Sequence, residues 1–198
     1  MPRSDAVQNR QQIMEAFHKA TRRKVTRLPT MSEIVKLSGL GRGTVYRHFP
    51  DPGTLAFSFM STGYEALFAQ TRESLQKAGT VMETRDALED HLYRYRAYNK
   101  ENLNLLTAPE VVTSSGCDLA QTSQRQCVRR ALRDMAGIGK TSPEPLETAT
   151  DLIARCGDPL HLSSVGLSQD GEDHLANSAI KLAMEIADHV TLQLRRTT

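Results

Sequence analysis

Residues 30–49, TMSEIVKLSGLGRGTVYRHF, contain the pattern that decides how the first part of this chain folds. Thr30 and Glu33 have the spacing of a capping box, in which a hydroxyl and a carboxylate satisfy free N–H groups at a helix start. Gly39 predicts the end of that helix, because glycine readily adopts the left-handed conformation found at helix ends. A second short helix is predicted over residues 42–49. The stretch therefore predicts two short helices joined by a tight turn.

A longer helix precedes this pair, since Ile13 and Phe17 begin an apolar stripe at helical spacing. Three helices in this order predict a helix-turn-helix unit, whose last helix enters the major groove of DNA. An arginine near the start of such a helix pairs with a guanine edge, and a threonine methyl contacts thymine. Arg42 and Thr44 hold those positions, and the absent side chain of Gly43 lets the helix start approach DNA closely.

Charge is unevenly distributed along the chain. The whole sequence has 25 lysines and arginines against 23 aspartates and glutamates, a net charge of +2. Residues 1–50 hold ten basic and three acidic side chains, which leaves 15 basic and 20 acidic side chains for residues 51–198. A basic segment on an acidic body indicates that the first segment meets a polyanion. A solvated basic face is the alternative that charge alone leaves open.

Helical periodicity continues through residues 51–198, without the alternation of β-strands bounded by hairpin turns. Asp51-Pro52 has the cap-then-proline pattern of a helix start, and apolar residues persist to about Leu75 before Gly79. Further helix boundaries are predicted at Thr80, Asp118, Gly137, Ser142-Pro143, Asp158-Pro159 and about Ser168. We therefore predict an all-α protein, with a helix-turn-helix domain over residues 1–50 and a helical ligand-binding and dimerisation domain over residues 51–198.

The run over residues 39–49, GLGRGTVYRHF, resembles the DNA-binding signature of the tetracycline-repressor (TetR) family. The similarity extends back to Ile13 and forward to Leu55, and beyond them the chain resembles the family only in length and helical content. The resemblance implies a homodimer that binds a palindromic operator in double-stranded DNA. It also implies that a small molecule, bound in the C-terminal domain, releases the operator.

The resemblance implies DNA contacts for nine residues of the two short helices. Family members contact bases at the positions of Arg42, Gly43, Thr44 and Arg47. Backbone or base contacts occur at the start of the preceding helix, at Thr30, Met31 and Ser32. Phosphates are contacted at the positions of Tyr46 and His48, for which packing against the helices is the alternative.

Two positions depart from the family pattern. Gly41 stands where serine is common, which weakens the cap of the second short helix. Residues 50–53, PDPG, replace a commoner stretch that contains lysine, which puts a phosphate contact from the long helix in doubt. We expect phosphate affinity to depend more on Arg22, Arg23, Lys24 and Arg27.

His91, Tyr95 and Tyr98 recur at i, i+4 and i+7, so they share one face of a predicted helix. Such a face predicts the lining of a mostly apolar ligand pocket with a few polar groups. Tyrosines packed in a core with satisfied hydroxyls are an equally good interpretation. We expect Arg94 and Arg96 to face solvent.

Two aliphatic stripes in the last part of the chain predict a four-helix seam between two copies. We assign to this seam Leu146, Ile153, Leu175, Ala179, Leu182, Ile186 and Val190. A core within one chain is the alternative.

The sequence as a whole predicts a transcription regulator, specifically a repressor, rather than an enzyme. Its histidines and three cysteines lack the spacing of a metal site, and no nucleophile motif occurs, so neither a metal nor a cofactor is expected. We expect a cytoplasmic protein without a membrane partner, because no apolar stretch spans a bilayer and the start lacks a signal-peptide core. A helical small-molecule carrier without specific DNA binding and a DNA-binding activator are the alternatives.

Overall fold

The computed structural model describes residues 3–21, 27–108, 111, 116–156 and 169–197. This part of the chain contains nine helices and no β-strand, which confirms the all-α prediction. The helices are α1 (Arg3–Thr21), α2 (Met31–Ser38), α3 (Arg42–His48), α4 (Pro52–Lys77), α5 (Val81–Glu101), α6 (Leu103–Leu106), α7 (Gly116–Ala136), α8 (Glu144–Arg155) and α9 (Gln169–Thr197). None of the described helices combines the length and the apolar character that crossing a membrane requires.

Packing divides the chain into two compact units, and the division falls inside α4. Unit 1 is Met1–Gly63 with Asn102–Cys117, and unit 2 is Tyr64–Glu101 with Asp118–Thr198. The predicted domain boundary at residue 50 follows the sequence motif, whereas unit 1 also includes the first part of α4 and the short α6.

Unit 1 is built on α1, α2 and α3, each of which contacts the other two. The apolar side chains predicted on their inner faces are buried, namely Ile13, Phe17, Ile34, Val45 and Phe49. The first part of α4 adds Phe59, whose ring centroid lies 5.4 Å from that of Phe17. The three-helix arrangement predicted from residues 30–49 and the preceding stripe is therefore confirmed.

The caps predicted for the first half of the chain are present. The Thr30 hydroxyl accepts the Glu33 N–H at 3.3 Å, and the Glu33 carboxylate accepts the Thr30 N–H at 2.7 Å. Thr80 and Glu83 repeat this arrangement at the start of α5. Asp51 accepts a backbone N–H at 2.7 Å in the first turn of α4, as the cap-then-proline pattern predicts.

The second half contains one wrong boundary. The helix predicted to start at Asp118 starts at Gly116, so Asp118 lies in the first turn of α7. A carboxylate is favourable at both positions, because the N-terminal end of a helix dipole attracts negative charge, and the residue type does not distinguish them. The predicted end at Gly137, with φ +70°, and the start of α8 after Pro143 are confirmed. The start predicted at Asp158-Pro159 lies outside the described residues.

Unit 2 has an aliphatic core contributed by α4, α5, α7, α8 and α9. Within it α5 and α9 run antiparallel, as two ion pairs show. Arg85 near the start of α5 pairs with Asp188 at 3.0 Å, and Lys100 near its end pairs with Asp173 at 2.6 Å.

Leu146 and Ile153, assigned above to a seam between two copies, lie in this core with no exposed surface. The assignment is therefore corrected for these two residues. The reason is that apolar spacing on a helix does not specify whether the covering element belongs to the same chain or to another. On α8 the exposed residues beside the core face are Pro145, Thr148 and Leu152.

Gly39→Ala is expected to lower the free energy of unfolding by about 1 kcal/mol, because a Cβ is strained at φ +69°. The added methyl meets no atom within 4 Å, so the loss reports backbone strain alone. Urea denaturation followed by circular dichroism measures it.

Gly41→Ser is the matched control for this measurement. The backbone there, at φ −61° and ψ 143°, suits any residue, and α3 has no side-chain cap. A serine hydroxyl supplies one, so this variant is expected to be more stable than the natural chain. Unchanged stability of Gly39→Ala would contradict the role of Gly39 as the left-handed end of α2.

Candidate nucleic-acid interface and buried polar cluster

The start of α2 is held by the carboxylate of Glu33. Besides closing the capping box, its two oxygens accept hydrogen bonds from the Arg27 guanidinium at 2.8 and 2.9 Å. The hydrogen bond from Arg27, followed by those from Thr30, lowers the pKa of Glu33 to about 2. Arg27 is therefore paired with Glu33 within unit 1, while its side chain remains 62% exposed, and its expected role in phosphate affinity stays a prediction. Arg22, Arg23 and Lys24 lie outside the described residues.

The outer face of α3 presents basic side chains without acidic partners. Arg42 and Arg47 are exposed, and in the described part of the chain no carboxylate pairs with either. The Arg42 guanidinium lies 5.2 Å from the centroid of the Tyr46 ring, and Arg47 Nε donates to the Gly43 carbonyl at 3.1 Å. Thr44 and Tyr46 are half-buried between them. Both arginine charges are thus available to an external anion.

Gly43 lies in the first turn of α3 although nothing in the chain requires a glycine there. A Cβ added at Gly43 meets no atom within 4 Å, and φ is not in the left-handed region. Glycine inside a helix costs about 0.5–1 kcal/mol relative to alanine. An exposed glycine that weakens its own helix is consistent with the close approach of an external surface.

The remaining residues predicted to contact DNA differ in exposure. Thr30 and Ser32 are exposed, although the Thr30 hydroxyl is occupied by Glu33. Met31 is 5% exposed and its side chain packs in the core, so the predicted contact is corrected to its main chain. His48 is half-buried, with its ring centroid 6.5 Å from that of Phe49.

Arg10 shows that part of the basic charge has an internal role that the sequence interpretation missed. Its guanidinium lies over the Phe49 ring at 4.7 Å, and Nη2 donates to the Ser58 hydroxyl at 3.1 Å. The side chain therefore joins α1 to the end of α3 and to α4. The sequence did contain a signal for this role, because Arg10 lies on the same helical stripe as Ile13 and Phe17, which faces the core.

Unit 2 contains three hydrogen-bonded side chains, Thr71, His91 and Gln124, which we call the buried polar cluster. His91 is 0% exposed, with Nδ1 2.7 Å from the Thr71 hydroxyl and Nε2 2.6 Å from Gln124 Oε1. Because an amide oxygen only accepts, the proton of the neutral imidazole lies on Nε2, and the Thr71 hydroxyl is shared between His91 Nδ1 and the Leu67 carbonyl, which lies 3.0 Å away. Burial, helped by the positive charge of Arg94, lowers the pKa of His91 to about 4.

An aromatic cluster, defined as Tyr64, Phe68, Tyr95 and Tyr98, adjoins His91. Ring centroids lie 4.8 Å apart for Tyr64 and Tyr98 and 6.0 Å apart for Phe68 and His91. Burial, with a smaller effect of the Glu101 charge, raises the pKa of Tyr98 to about 12, so its phenol is neutral.

The structure thus brings His91 and Tyr95 together in the interior of unit 2, and half-buried Tyr98 on the same helix face joins them through Tyr64. It adds two hydrogen-bond partners that the sequence interpretation did not find, Thr71 and Gln124. These lie on α4 and α7, so the periodicity of α5 holds no signal for them.

The surface of unit 2 has an apolar groove of about 360 Å³ between α8 and α9. Its lining is Glu144, Pro145, Thr148, Ala149, Leu152, Ile186 and Val190. Leu152 is 53% exposed and Leu182, on the same stripe of α9 as Ile186, is 56% exposed. Of the other residues assigned to a seam, Leu175 is exposed and Ala179 half-buried. A large exposed apolar surface of this kind is typical of a protein interface.

Side chains that could support metal or thiol chemistry are dispersed. Among the described residues, no group of three His, Cys, Asp or Glu side chains is placed to hold a metal ion. Cys127 and Cys156 are free, and burial raises the pKa of both thiols, which favours their unreactive protonated form.

Sequence comparison finds relatives named as regulators. An HTH-type transcriptional regulator of Staphylococcus aureus (strain bovine RF122 / ET3-1) is 30% identical over 106 residues, which are 54% of this chain and 57% of the relative. One from strain USA300 is 28% identical over the same number of residues. The chain thus spans little more than half the length of these curated relatives. No protein-family model matches it.

Solved structures with the same fold are also regulators. The fatty acid degradation regulator FadR of Bacillus halodurans has a TM-score of 0.61 at 13% identity, over 89% of this chain and 94% of that one. RolR, solved in complex with resorcinol, has a TM-score of 0.58 at 16% identity, over 94% and 96%. The TetR family repressor AlkX of Dietzia sp. strain DQ12-45-1b has a TM-score of 0.53 at 20% identity, over 91% and 97%. The chain therefore has the all-helical fold of TetR-type regulators, as the resemblance implied.

The pKa of His91 predicts an acid-sensitive fold. Because the folded-state pKa, about 4, is below the ordinary value of 6.5, neutral His91 stabilises the fold fully above pH 6.5. This contribution is lost as pH falls from 6.5 to 4 and is on the order of 3 kcal/mol. Urea denaturation at pH 7 and pH 4.5 is expected to show a smaller loss for His91→Gln than for the natural chain.

His189→Gln is the matched control, since His189 is exposed on α9. It is expected to lose as much stability as the natural chain over the same pH interval. If His91→Gln lost as much as well, His91 would not be the group responsible.

Proposed function

We propose that this chain, which has the fold of TetR-type regulators, is a cytoplasmic, sequence-specific DNA-binding repressor of transcription. The observation that carries the proposal is the outer face of α3. There Arg42 and Arg47 have no carboxylate partner among the described residues, and the packing of those residues does not require a glycine at Gly43, next to Arg42. The names of the curated relatives, HTH-type transcriptional regulators, support the same function.

In this proposal α3 lies in the major groove, where some of its side chains contact bases and others contact phosphates. Arg42 pairs with a guanine edge, and Thr44 contacts a thymine methyl or a phosphate. Arg47 adds a second base contact, and Gly43 lets the backbone approach the base edges. Phosphates are contacted at Tyr46 and His48, and by Thr30, Ser32 and the main chain of Met31 at the start of α2.

We further propose that two copies associate through the groove between α8 and α9. The exposed Leu175 and Leu182, with half-buried Ile186 on the same stripe and Leu152 beside them, have the apolar character of a homodimer core. A twofold pair presents two copies of α3 to major grooves about 34–36 Å apart, or a multiple of this distance. The operator is therefore palindromic.

The effector is a small molecule that binds in the interior of unit 2, in contact with Tyr95, Tyr98 and the buried polar cluster. α4 supplies residues to both units, with Leu55 in unit 1 and Thr71 in unit 2. A ligand that prefers one position of α4 over another therefore changes the conformer that meets DNA. Release requires only that the ligand bind the non-binding conformer more tightly.

Two neighbouring substitutions test the placement of α3. Arg42→Ala is expected to cost about 1–3 kcal/mol of operator binding and to relax base preference at one position in each half-site. Gly43→Ala is expected to stabilise the fold by about 0.5–1 kcal/mol and yet to weaken operator binding, because the methyl enters the contact with DNA. Selection of binding sites from random DNA, fluorescence anisotropy and urea denaturation measure these effects.

Arg72→Ala is the matched control, because Arg72 is an exposed arginine of α4 within unit 2. It removes the same charge and is expected to leave the selected site unchanged. An Arg42→Ala protein that selects the natural site, or a natural chain that selects none, would contradict the proposal.

The proposed dimer is tested by charging its apolar stripe. Leu182→Glu combined with Ile186→Glu is expected to give monomers and to weaken operator binding, since each carboxylate would be buried against a second copy. Light scattering after size-exclusion chromatography measures the mass. Met82→Glu, at a side chain that is 64% exposed outside the groove, is the control and is expected to leave the dimer intact. Persistence of the dimer in the double variant would refute the seam.

A further inference from the structure

Arg94 of α5 has a buried guanidinium, contrary to the expectation that it faces solvent. Its Nε, Nη1 and Nη2 atoms are all inaccessible to solvent, and none of them donates a hydrogen bond. Nη2 lies 2.6 Å from Asp90 Oδ2 as an ion pair without hydrogen-bond geometry. The Asp90 side chain is 60% exposed, so solvent screens this ion pair. Asp90 therefore compensates the buried charge of Arg94 only in part.

Other arginines of the described chain show how unusual this is. Arg96, Arg129 and Arg133 also have a buried Nε without an acceptor, but each donates through another nitrogen. A guanidinium has five N–H donors and remains charged in proteins. The ion pair with one exposed carboxylate leaves most of these donors without a hydrogen-bond acceptor among the described residues, so Arg94 points to a further acceptor that those residues do not supply.

A second unsatisfied donor lies beside the first. Gln124 is buried, and its Nε2 has no acceptor although Oε1 accepts from His91. Arg94 follows His91 by three residues on α5, which places both side chains on one face of the helix. The positive charge of Arg94 also lowers the pKa of His91. Arg94 and Gln124 thus both carry donors without an acceptor, and each neighbours His91, Arg94 through helix spacing and Gln124 through a hydrogen bond.

We propose that the effector is an aromatic carboxylate, whose carboxylate binds Arg94 and Gln124 and whose ring packs against Tyr95 and Tyr98. This inference rests on the proposed function, because it names the ligand class of the effector site in unit 2. A guanidinium and a carboxylate form parallel, charge-assisted hydrogen bonds, and the amide N–H supplies a further donor to the same oxygens. Neutral His91 and neutral Tyr98 add no negative charge that would repel the anion.

The test compares acids with their amides on the full chain. Isothermal titration calorimetry at pH 7.5 measures binding of benzoate and 3-phenylpropionate, and of benzamide and 3-phenylpropanamide, which keep the shape without the charge. At least one acid is expected to bind tenfold or more tightly than its amide. Arg94→Gln is expected to remove that difference by weakening the acid and not the amide. Octanoate is expected to bind more weakly than 3-phenylpropionate, because it lacks a ring.

The substitution Asp90→Asn, at a surface position, is expected to change acid affinity in the opposite direction to Arg94→Gln. Removing the carboxylate that competes for Arg94 is expected to tighten acid binding several-fold, and circular dichroism checks that the variant is folded, since Arg94 then lacks its counter-charge. Arg130 and Asp134 form a similar pair, four residues apart on α7, at 3.5 Å. Arg130→Gln and Asp134→Asn are therefore the matched controls and are expected to leave acid affinity unchanged. Acids that bind no better than amides, or that are indifferent to Arg94→Gln and Asp90→Asn, overturn the inference.

A parallel mobility-shift assay with selected operator DNA separates the two proposals. An operator-binding chain that ignores every acid refutes the carboxylate site and leaves the repressor function standing. A chain that binds the acids through Arg94 but binds no operator refutes the regulatory role of the ligand. Operator release by an acid, lost in Arg94→Gln, supports both.

Discussion

The hydrogen bonds of the Glu33 carboxylate are the constraint on which the geometry of unit 1 depends. Glu33 is at the surface, so its low pKa comes from hydrogen bonds with Arg27 and Thr30 and not from burial. Its contribution to stability is present above pH 4.5 and is lost as pH falls from 4.5 to about 2. These bonds fix where α2 starts, and Gly39 fixes where it ends. α2 ends at Ser38 and α3 begins at Arg42, so the two helices are joined by a short turn. The orientation of the outer face of α3 therefore depends on the position of α2.

The same carboxylate explains why a count of basic residues overstates the charge available to DNA. Of the ten basic side chains in residues 1–50, Arg27 is paired with Glu33, and Arg10 lies over Phe49 and donates to Ser58. Arg42 and Arg47 keep their charge at the surface because α3 carries no acidic residue. The argument for a nucleic-acid interface therefore depends on where the charges lie and on which of them lack partners.

The features that the sequence predicted correctly are those that local chemistry determines. The capping boxes at Thr30 and Thr80 and the glycine ends at Gly39 and Gly137 each depend on a few neighbouring residues. Predictions failed where the outcome depends on distant elements. The periodicity of α8 identified an apolar face but not that the chain's own helices cover Leu146 and Ile153.

In the interior of unit 2, too, the sequence predicted which residues share a helix face but not which other helices contact them. The spacing of His91, Tyr95 and Tyr98 identified one face of α5, and the structure places His91 beside Tyr95, with Tyr98 joined to them through Tyr64. Burial of Arg94 was not predicted, because its charge assigned it to solvent although its i+3 spacing places it on the same face of α5 as His91. Gln124 could not be found either, since only the packing of α7 against α5 brings it to His91.

The hydrogen-bond inventory of unit 2 distinguishes a structural polar group from one available to a ligand. Both nitrogens of His91 are satisfied, by Thr71 and by Gln124, so the imidazole has no free donor or acceptor to offer. With Oε1 accepting from His91, the amide nitrogen of Gln124 has no acceptor among the described residues. His91 is therefore a positioning residue, and recognition falls to the amide of Gln124 and the guanidinium of Arg94. Burying these unsatisfied donors costs stability, and in a folded protein that cost is explained most simply by a ligand that satisfies them.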